Sequence, residues 1–590
     1  MKNFLKYTLA SLLGTLVALI LILVISLGII SIIVSTADKE VTVKENSVLT
    51  IKLDTPIAER GCKNPFSDLG LPGLESIQQV GLNQILDCIN KAKTDENIKG
   101  IYLNLTVIQS GMATIEQIRN ALFDFKKSGK FIYAYSDAMT QPAYYLSTAA
   151  DSIFINPAGT LDFRGLNSER AFYKKALDKI GVDMQIIRHG KYKSAVEPYM
   201  QDKMSPANRE QVEAYINGLW SHMLNKISEK RKIPVNRLDS LADRVLTFQG
   251  PEVAAKAKLI DGVKYKDQIL DDLRKLTGTQ KGNDIASVNV AEYSKTPAKT
   301  DGKGLAKEKI AVIYAVGEID MGGSGNNSID SEVMAREIRK AREDASIKAI
   351  VLRINSPGGS ALGSEIMWRE VNLAKKVKPV IASFGDVAAS GGYYMACPAN
   401  VIVAQPNTIT GSIGIFGMIP NAKKLLEDKL GITYDRAMTN KHSDMPSLTR
   451  ALSPEERILI QSYIERGYAT FVNHVSEGRR LTFAHVDSIG QGRVWTGAMA
   501  KQIGLVDELG GIDKAIAIAA KKAKLDRYRI VDLPEIKDPF QELLKGISND
   551  VKAKILHAQL GEAYEQYTFI HNASTHFGIM ARMPYDEKIY

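Results

Sequence analysis

The chain has 590 residues. A chain of this length exceeds what a single hydrophobic core ordinarily organises, so two or more domains are expected. Hydrophobic residues at 45% and charged residues at 24% are typical of a folded protein and argue against a disordered one. The formal net charge of +10 is modest for this length, and no basic arm interleaved with aromatic residues is present. The composition therefore argues against nucleic-acid binding and favours anionic lipid or anionic peptides as partners of any basic surface.

The N-terminus begins with two lysines, Lys2 and Lys6, followed by an uncharged apolar run from Tyr7 to Val34. This run is longer than the roughly 20 residues that cross a bilayer and longer than the apolar core of a signal peptide, about 7–15 residues. It predicts an uncleaved, single-pass anchor with a cytoplasmic N-terminus and the rest of the chain on the extracytoplasmic (periplasmic) side. The triplet Ser-Thr-Ala at 35–37 leaves a cleaved leader as the alternative.

The three cysteines, Cys62, Cys88 and Cys397, cannot all pair, and none lies in a Cys-x-x-Cys motif. No zinc or redox motif is recognisable, and a disulfide framework is not expected. A single Cys62–Cys88 bridge remains open.

Beyond the anchor the sequence is duplicated. "ENIKGIYLNL" from residue 96 corresponds to "ASIKAIVLRI" from residue 345, and several later segments match in the same order at an offset near 249. Each half alternates short apolar strands with amphipathic helices, which predicts an α/β fold with at least partly parallel sheets. The predicted divisions are a cytoplasmic N-terminus 1–6, an anchor 7–34, a first domain 46–276, a linker 277–308, a second domain 309–535, and a tail 536–590 without an assigned role. Within the linker, "SVNVAEY" is also compatible with a strand.

The duplication makes one serine conspicuous. Ser390, in "DVAASGGYY", is followed by two glycines, whereas the matching positions of the first half are Gln141, Pro142 and Ala143. If Ser-Gly-Gly only shaped a tight corner, both halves would need it. The asymmetry favours Ser390 as a nucleophile.

A serine nucleophile needs oxyanion donors and a base. "RINSPGGSALG" at 353–363 contains a Pro-Gly-Gly turn that can direct backbone N–H groups into a cleft, and it is neither a P-loop nor a GxGxxG motif. His189 and His442 make a Ser-His-Asp triad conceivable, although neither lies in a recognisable triad context. Lys193 is a base only if burial lowers its pKa from about 10.4 towards 7–8, and spacing alone does not reveal that burial.

Taken together, these features resemble the long, double-domain bacterial members of peptidase family S49, the signal peptide peptidases. The resemblance covers nearly the whole chain after the anchor, and the motifs that carry it stand in family order: "GKYKSAVEP", "SPGGS", "DVAASGGYY", "TGSIGIFG" and "GRVWTGAMAKQIGLVDELGG".

The resemblance implies two tandem domains of the ClpP/crotonase type and a serine–lysine dyad divided between them. Ser390 would be the nucleophile and Lys193 the general base, with Ser412 orienting the lysine amine. The N–H groups of Gly359 and Gly391 would be the oxyanion donors. Aligning the halves at an offset of 248 places Lys441 opposite Lys193, so Lys441 is the alternative base.

The expected function is that of a membrane-anchored serine endopeptidase that degrades cleaved signal peptides and other apolar peptides. The resemblance also implies a homo-oligomer, a tetramer, and no metal, nucleotide or other cofactor. Two alternatives remain open at this stage, a crotonase-like acyl-CoA enzyme and a non-catalytic membrane scaffold.

Overall fold

The computed structural model of the chain describes residues 2–37, 41–61, 80–297, 306–322, 328–535 and 578–583. Cys62, on which the alternative Cys62–Cys88 bridge depends, lies outside these residues; among the described residues, Cys88 and Cys397 are buried free thiols.

A long N-terminal helix, α1 (Lys2–Ala37), runs over the predicted anchor. Its side chains from residue 26 onward lie outside the described set. Over the part of the chain that is described, no helix meets the length and hydropathy of a membrane-crossing segment.

Over its described residues, the first half has ten further α-helices and seven strands. Its strands are β1 (Ser47–Ile51), β2 (Ile98–Asn104), β3 (Phe131–Met139), β4 (Ser152–Leu161), β5 (Asp183–Arg188), β6 (Gly262–Val263) and β7 (Ser287–Asn289). Its helices are α2 (Leu82–Thr94), α3 (Met112–Lys126), α4 (Gln141–Ser147), α5 (Lys174–Ile180), α6 (Glu197–Met200), α7 (Pro206–Arg231), α8 (Val235–Ala242), α9 (Pro251–Lys256), α10 (Lys266–Thr277) and α11 (Val290–Ser294).

The second half repeats this alternation and adds several short strands. Its strands are β8 (Lys309–Val316), β9 (Glu318–Asp320), β10 (Ser328–Asp330), β11 (Ile347–Ser356), β12 (Gly358–Ser360), β13 (Val380–Ala389), β14 (Val401–Ala404), β15 (Ile409–Gly411), β16 (Phe416–Asn421), β17 (Val494–Thr496), β18 (Glu508–Leu509), β19 (Arg529–Leu533) and β20 (Gly578–Arg582). Its helices are α12 (Ser331–Glu343), α13 (Ala361–Ala374), α14 (Gly391–Ala396), α15 (Pro454–Arg479), α16 (Phe483–Ile489), α17 (Gly497–Gln502) and α18 (Ile512–Lys522).

Each half contains one mainly parallel sheet. In the first half the strand order is β6-β4-β3-β2-β1-β7, and every pair is parallel. In the second half the order is β17-β15-β13-β11-β8-β19, with β14 and β18 extending from β13. The central strands are almost entirely buried apolar residues because helices cover both faces of such sheets. The predicted α/β class is confirmed.

A third sheet joins the two halves, in the order β10-β9-β12-β20-β16-β5. Strand β5 comes from the first half and pairs antiparallel with β16 of the second half. The hydrophobic core is also continuous between halves, since the cluster that contains Leu49 and Ile101 includes Val351 and Ala515. The halves therefore pack as one body around the segments that follow β5, β12 and β13.

The duplication extends to individual hydrogen bonds. The hydroxyl of Tyr144 donates to the carbonyl oxygen of Leu259 at 2.9 Å, and the hydroxyl of Tyr393, its counterpart, donates to that of Leu505 at 2.8 Å. The next tyrosine in each half donates to a glutamate that also contacts a histidine, in the sets Tyr145–Glu116–His222 and Tyr394–Glu365–His474. These repeated bonds mark positions that belong to the fold.

Two observed boundaries differ from the predicted domain divisions. The first half continues past residue 276, because Ser287–Asn289 pairs with β1 and the short helix α11 packs beside it. The segment read as either linker or strand is thus a strand followed by a helix. The C-terminal tail contributes β20 to the third sheet, although most of the tail lies outside the described residues.

Candidate active site

Ser390 lies at the corner between β13 and α14 and is fully buried. Its φ of 53° is in the left-handed region, which is unusual for a residue with a side chain and is found at strained functional corners. Two backbone hydrogen bonds hold the corner, from Ser390 N–H to the Gly411 carbonyl oxygen and from Tyr394 N–H to the Ser390 carbonyl oxygen, both 2.8 Å.

The glycines after Ser390 are required by close packing. A Cβ at Gly391 would lie 2.5 Å from the Ser364 Oγ, and a Cβ at Gly392 would lie 2.8 Å from the Ser356 carbonyl oxygen. In the first half, Gln141 holds a different corner, because its side-chain oxygen accepts from the N–H groups of Arg164 and Gly165. At this position the first half therefore has a side chain that bonds to the backbone, where the second half has the hydroxyl of Ser390.

Lys193 reaches Ser390 from the other half of the chain. It follows β5, and the pairing of β5 with β16 places it inside the cleft. The side chain of Lys193 is fully buried, and its Nζ lies 2.8 Å from the Ser390 Oγ. Nζ also donates to the carbonyl oxygen and to the Oγ of Ser412, each at 3.0 Å.

Burial lowers the pKa of the Lys193 amine well below its ordinary value. The three contacts suit a neutral amine, which has two N–H donors and one lone pair. In the neutral state the two N–H groups bond to Ser412, and the lone pair faces the Ser390 hydroxyl. A neutral amine at this distance can accept the proton of the serine hydroxyl.

Glycines enclose the Lys193 side chain. Gly492 has a φ of 85°, and a Cβ placed on it would lie 2.5 Å from both N and Cα of Lys193. A Cβ at Gly414 would lie 3.2 Å from the Lys193 Cδ. Sequence reasoning did not single out these two residues. Their signal was present in the motifs "GRVWTG" and "TGSIGIFG", which contain Gly492 and Gly414.

A buried carboxylate fixes the loop that carries Lys193. Glu197 is fully buried and accepts from the Ser205 Oγ at 2.6 Å and from the Asn208 Nδ2 at 2.8 Å. Ser205 also caps α7 by accepting from the Asn208 N–H. The Lys-Ser-Ala-Val-Glu-Pro motif therefore ties the lysine loop to the start of α7, and the segment around Lys441 has no such sequence.

The Pro-Gly-Gly turn lies next to the Ser390 corner. Gly358 and Gly359 have φ values of 98° and 155°, and a Cβ at Gly358 would lie 2.6 Å from the backbone nitrogen of Gly391. The structure thus brings the turn that contains Gly359 and the N–H of Gly391 to one wall of the cleft. Such neighbouring backbone amides are the usual composition of an oxyanion site.

A buried ion pair between the halves lies in β11, the strand that leads into this turn. Arg353, three residues before Ser356 in β11, donates through Nε to Glu59 of the first half at 2.8 Å. Both side chains are almost completely buried, and Arg353 also donates to the Phe384 carbonyl oxygen at 2.7 Å. Sequence reasoning missed this pair. At the offset of 249, Arg353 corresponds to Asn104, so the residue type at this position differs between the halves.

The other predicted candidates lie away from Ser390. The side chain of Lys441 is 70% exposed and pairs with Glu455. His189 stacks on Tyr468 and pairs with Glu465, and His442 pairs with Glu456. The alternative base Lys441 is therefore not placed at the serine, because the loop that carries it remains at the surface.

Comparison with known proteins identifies the family of the chain. A family model described as Peptidase family S49 matches residues 124–280 and again residues 372–526. The chain is 38% identical over 499 residues to Protease 4 of Salmonella typhi, covering 82% of this chain and 79% of that protein. It is 35% identical to Protease 4 of Haemophilus influenzae, over 74% of this chain and 72% of that protein. It is 33% identical to the chloroplastic serine protease SPPA of Arabidopsis thaliana, over 86% of this chain and 74% of that protein.

Proposed function

Because the chain is a serine peptidase of family S49, in the long form with two tandem family regions, we propose that it is an endopeptidase with a Ser390–Lys193 dyad. The observation that carries this proposal is the 2.8 Å contact between the Ser390 Oγ and a fully buried lysine amine. The ClpP/crotonase type of fold is part of the same proposal and is supported by the duplicated parallel sheets.

In the acylation step, the Ser390 Oγ attacks the carbonyl carbon of a peptide bond while neutral Lys193 takes the hydroxyl proton. The charge that develops on the carbonyl oxygen is stabilised by the N–H groups of Gly359 and Gly391. The protonated amine then gives its proton to the leaving nitrogen, and the carbon–nitrogen bond breaks. The product is an acyl-enzyme ester and a free amine peptide.

In the deacylation step, the same neutral amine removes a proton from water, which attacks the ester carbonyl. Ser412 keeps the amine oriented during both steps, because its carbonyl oxygen and Oγ hold the two N–H groups. Collapse of the intermediate returns the proton to the Ser390 Oγ. The residues required for the chemistry are all supplied by this chain.

The expected clients are apolar peptides, with cleaved signal peptides as the physiological class. The sequence resemblance supports this assignment, and the buried apolar cluster of Ile186, Val196, Phe416 and Met418, which packs on Met580 of β20, is compatible with it. An apolar client released within a membrane would meet the enzyme where the N-terminal anchor holds it.

The test of the proposed function is covalent labelling. Full-length protein in detergent should hydrolyse a fluorogenic apolar peptide and should react with a serine-directed phosphonate probe, with the label on Ser390 after peptide mapping. Turnover of an acyl-CoA thioester, but not of the peptide, would favour the crotonase-like alternative. Peptide hydrolysis with the label on any other serine would contradict the dyad.

We further propose membrane anchoring through residues 7–34 and assembly into a closed ring. Within the chain, β5 of the first half pairs with β16 of the second half. The second-half counterpart of β5 begins near Ile432, where Ile432 and Tyr434 are exposed. The repeat therefore supports a head-to-tail contact in which this segment packs on the first half of a neighbouring chain, and such contacts close into rings.

Fractionation and mass measurement test this arrangement. The full chain should remain with the membrane after carbonate washing, and the detergent-solubilised protein should have four times the chain mass by light scattering. Replacing Ile432 and Tyr434 together by aspartate should reduce that mass. A monomer for the unaltered chain, or release by carbonate, would overturn the corresponding part of the proposal.

A further inference from the structure

A glutamine of α7 bonds to the turn that carries Lys193. The Ser194 N–H donates to the Tyr192 carbonyl oxygen at 2.8 Å, and Lys193 between them has a φ of −73° and a ψ of 74°. These values are those of an inverse γ-turn, a three-residue turn closed by one hydrogen bond. Gln211 donates through Nε2 to both ends of this turn, to the Tyr192 carbonyl oxygen at 3.1 Å and to the Ser194 Oγ at 2.8 Å. The residues on both sides of the lysine are thus bonded to α7.

The other end of the Gln211 amide bonds to the strand that supports Ser412. The Gln211 Oε1 accepts from the N–H of Val494, the first residue of β17, at 3.2 Å. The residue before it, Arg493, accepts at its carbonyl oxygen from the Ser412 N–H at 2.7 Å. Because a backbone N–H is always a donor, the bond from Val494 also determines which end of the amide is the oxygen. One side chain therefore connects the lysine turn to the strand that supports Ser412.

Gln211 is buried together with these contacts. The residue is 1% exposed, and its Nε2 also lies 3.2 Å from the Asn208 Oδ1 of the same helix. A buried amide lowers stability unless its donors and its acceptor are hydrogen-bonded. The amide of Gln211 is hydrogen-bonded at both ends, and two of its partners are the residues next to Lys193.

The second half has no glutamine at the matching position. The offset of 248 aligns Lys193 with Lys441 and places Gln211 opposite a leucine, Leu459. Leu459 is 51% exposed, and Lys441 is likewise at the surface. A position needed only for the fold would have the same residue type and burial in both halves, as the tyrosine pairs do. The buried glutamine therefore accompanies the buried lysine, and the exposed leucine accompanies the exposed one.

From these contacts we infer that Gln211 is a positioning residue of the peptidase site, which holds the turn around Lys193 so that its amine stays within hydrogen-bonding distance of the Ser390 Oγ. The inference rests on the proposed dyad and adds a residue that acts through its base. The amine lies at the end of four methylene groups, so a small rotation of the lysine backbone displaces Nζ. A displacement of about 1 Å at a reacting group can lower a rate about 10²-fold.

Kinetics of Gln211→Met test the inference. Methionine has a similar length and volume but no N–H to donate, so the turn loses its bonds to α7 while the space stays filled. The kcat for fluorogenic peptide hydrolysis should fall at least about tenfold. The KM should stay unchanged, because the variant affects the base and not client binding. Rates are expressed per Ser390 labelled to completion by the phosphonate probe, so that unfolded molecules do not contribute.

Gln141→Met is the matched control. Gln141 is also buried, and its amide holds a loop of the first half by accepting from the N–H groups of Arg164 and Gly165 and donating to the Gly165 carbonyl oxygen. Its replacement should lower the melting temperature, as that of Gln211 does, and leave the kcat per labelled serine unchanged. An equal loss of kcat in the two variants would show a general effect of stability and would overturn the inference. An unchanged kcat in Gln211→Met would overturn it as well.

Ser194→Ala is a smaller change that removes one bond between the lysine turn and Gln211. It should lower the kcat several-fold without changing the KM. Because both variants remove the same hydrogen bond, the double variant Ser194→Ala with Gln211→Met should be no slower than Gln211→Met alone. Effects that multiply would show that the two side chains act separately, contrary to the inference.

Ser194→Ala also decides the outcome if Gln211→Met does not fold, since an unchanged kcat in Ser194→Ala would then overturn the inference. A different result tests the dyad itself. Failure of the unaltered enzyme to label at Ser390, or full activity in Lys193→Met, would contradict the proposed function, and the positioning role of Gln211 would be rejected with it.

Discussion

Replacing Lys193 by methionine is expected to lower the kcat for peptide hydrolysis by about 10⁴- to 10⁶-fold, the range that loss of the base causes in other serine peptidases. The reason is the position of the amine, which is the group 2.8 Å from the Ser390 Oγ and is fully buried. Methionine preserves most of the side-chain volume, so the cavity remains filled while the base is removed. The KM should change far less than the kcat, because Lys193 acts on the proton and not on client binding.

The same lysine determines the pH dependence. Only the neutral amine accepts the serine proton, and burial lowers the pKa of Lys193. Activity of the unaltered enzyme should therefore rise with pH through this lowered pKa and level off above it. A pH–rate profile that follows an unperturbed lysine, with activity still rising near pH 10, would contradict the assignment.

The free energy of unfolding should also depend on pH, and it should increase as pH rises. In the unfolded chain Lys193 has its ordinary pKa and binds a proton that the folded chain does not bind. Between the lowered folded pKa and the ordinary value, stability of the unaltered protein therefore increases with pH. Lys193→Met has no amine that must lose a proton on folding. At pH 7 this variant should therefore melt at a higher temperature than the unaltered protein, and the difference should shrink towards pH 10.

Lys441→Met is the matched control for these measurements, since the Lys441 side chain is exposed and pairs with Glu455 at the surface. It should retain activity, the pH profile and the melting temperature. Full activity in Lys193→Met together with inactive Lys441→Met would transfer the role of base to Lys441.

Removing Glu59 should strongly destabilise the folded chain. Glu59→Ala leaves the Arg353 guanidinium buried without its carboxylate, and breaking such a pair costs about 3–5 kcal/mol of the free energy of unfolding. Because Arg353 lies just before the Pro-Gly-Gly turn and also holds the Phe384 carbonyl oxygen, activity should fall with stability. Urea denaturation followed by tryptophan fluorescence measures the first effect, and the peptide assay measures the second.

A second variant separates charge from packing. Glu59→Leu combined with Arg353→Met removes both charges and should recover much of the lost stability, because apolar residues of similar size often replace a buried pair at little cost. Glu455→Ala, which removes an exposed pair, should leave the unfolding curve unchanged. Equal stability of Glu59→Ala and the unaltered protein would show that the buried pair does not hold the halves together.

Sequence reasoning singled out Ser390 because the duplication provides an internal comparison: Ser390 and the two glycines after it are replaced by Gln141, Pro142 and Ala143 in the first half, whereas the tyrosine pair that follows matches. It also gave the alternation of strands and helices, since buried runs such as Ile350–Leu352 are typical of parallel strands. It separated Lys193 from Lys441 only through the family resemblance. In the structure Lys193 is buried and Lys441 is exposed. The burial of Lys193 depends on the long-range pairing of β5 with β16, which local sequence does not encode.

The residues that were missed all act through contacts between distant segments. Gly492 matters because the Lys193 backbone lies against it, and Glu59 matters because Arg353 faces it across the interface between the halves. Strand β20 was unassigned because its few residues have no pattern of their own and form a strand only between two pre-existing edges. Such features depend on tertiary structure, although the difference between Arg353 and Asn104 was visible in the duplication.

The two residues of the proposed dyad come from different halves of one chain. This origin determines how many catalytic centres a chain has and how their formation depends on protein concentration. In the proposed dyad each copy of the fold supplies one partner, Lys193 after β5 and Ser390 after β13. Covalent linkage makes the encounter of these partners intramolecular, with an effective concentration fixed by the chain itself. The proposed catalytic centre would therefore be complete at any dilution, and the proposed assembly of several chains would be left free to govern which clients can enter.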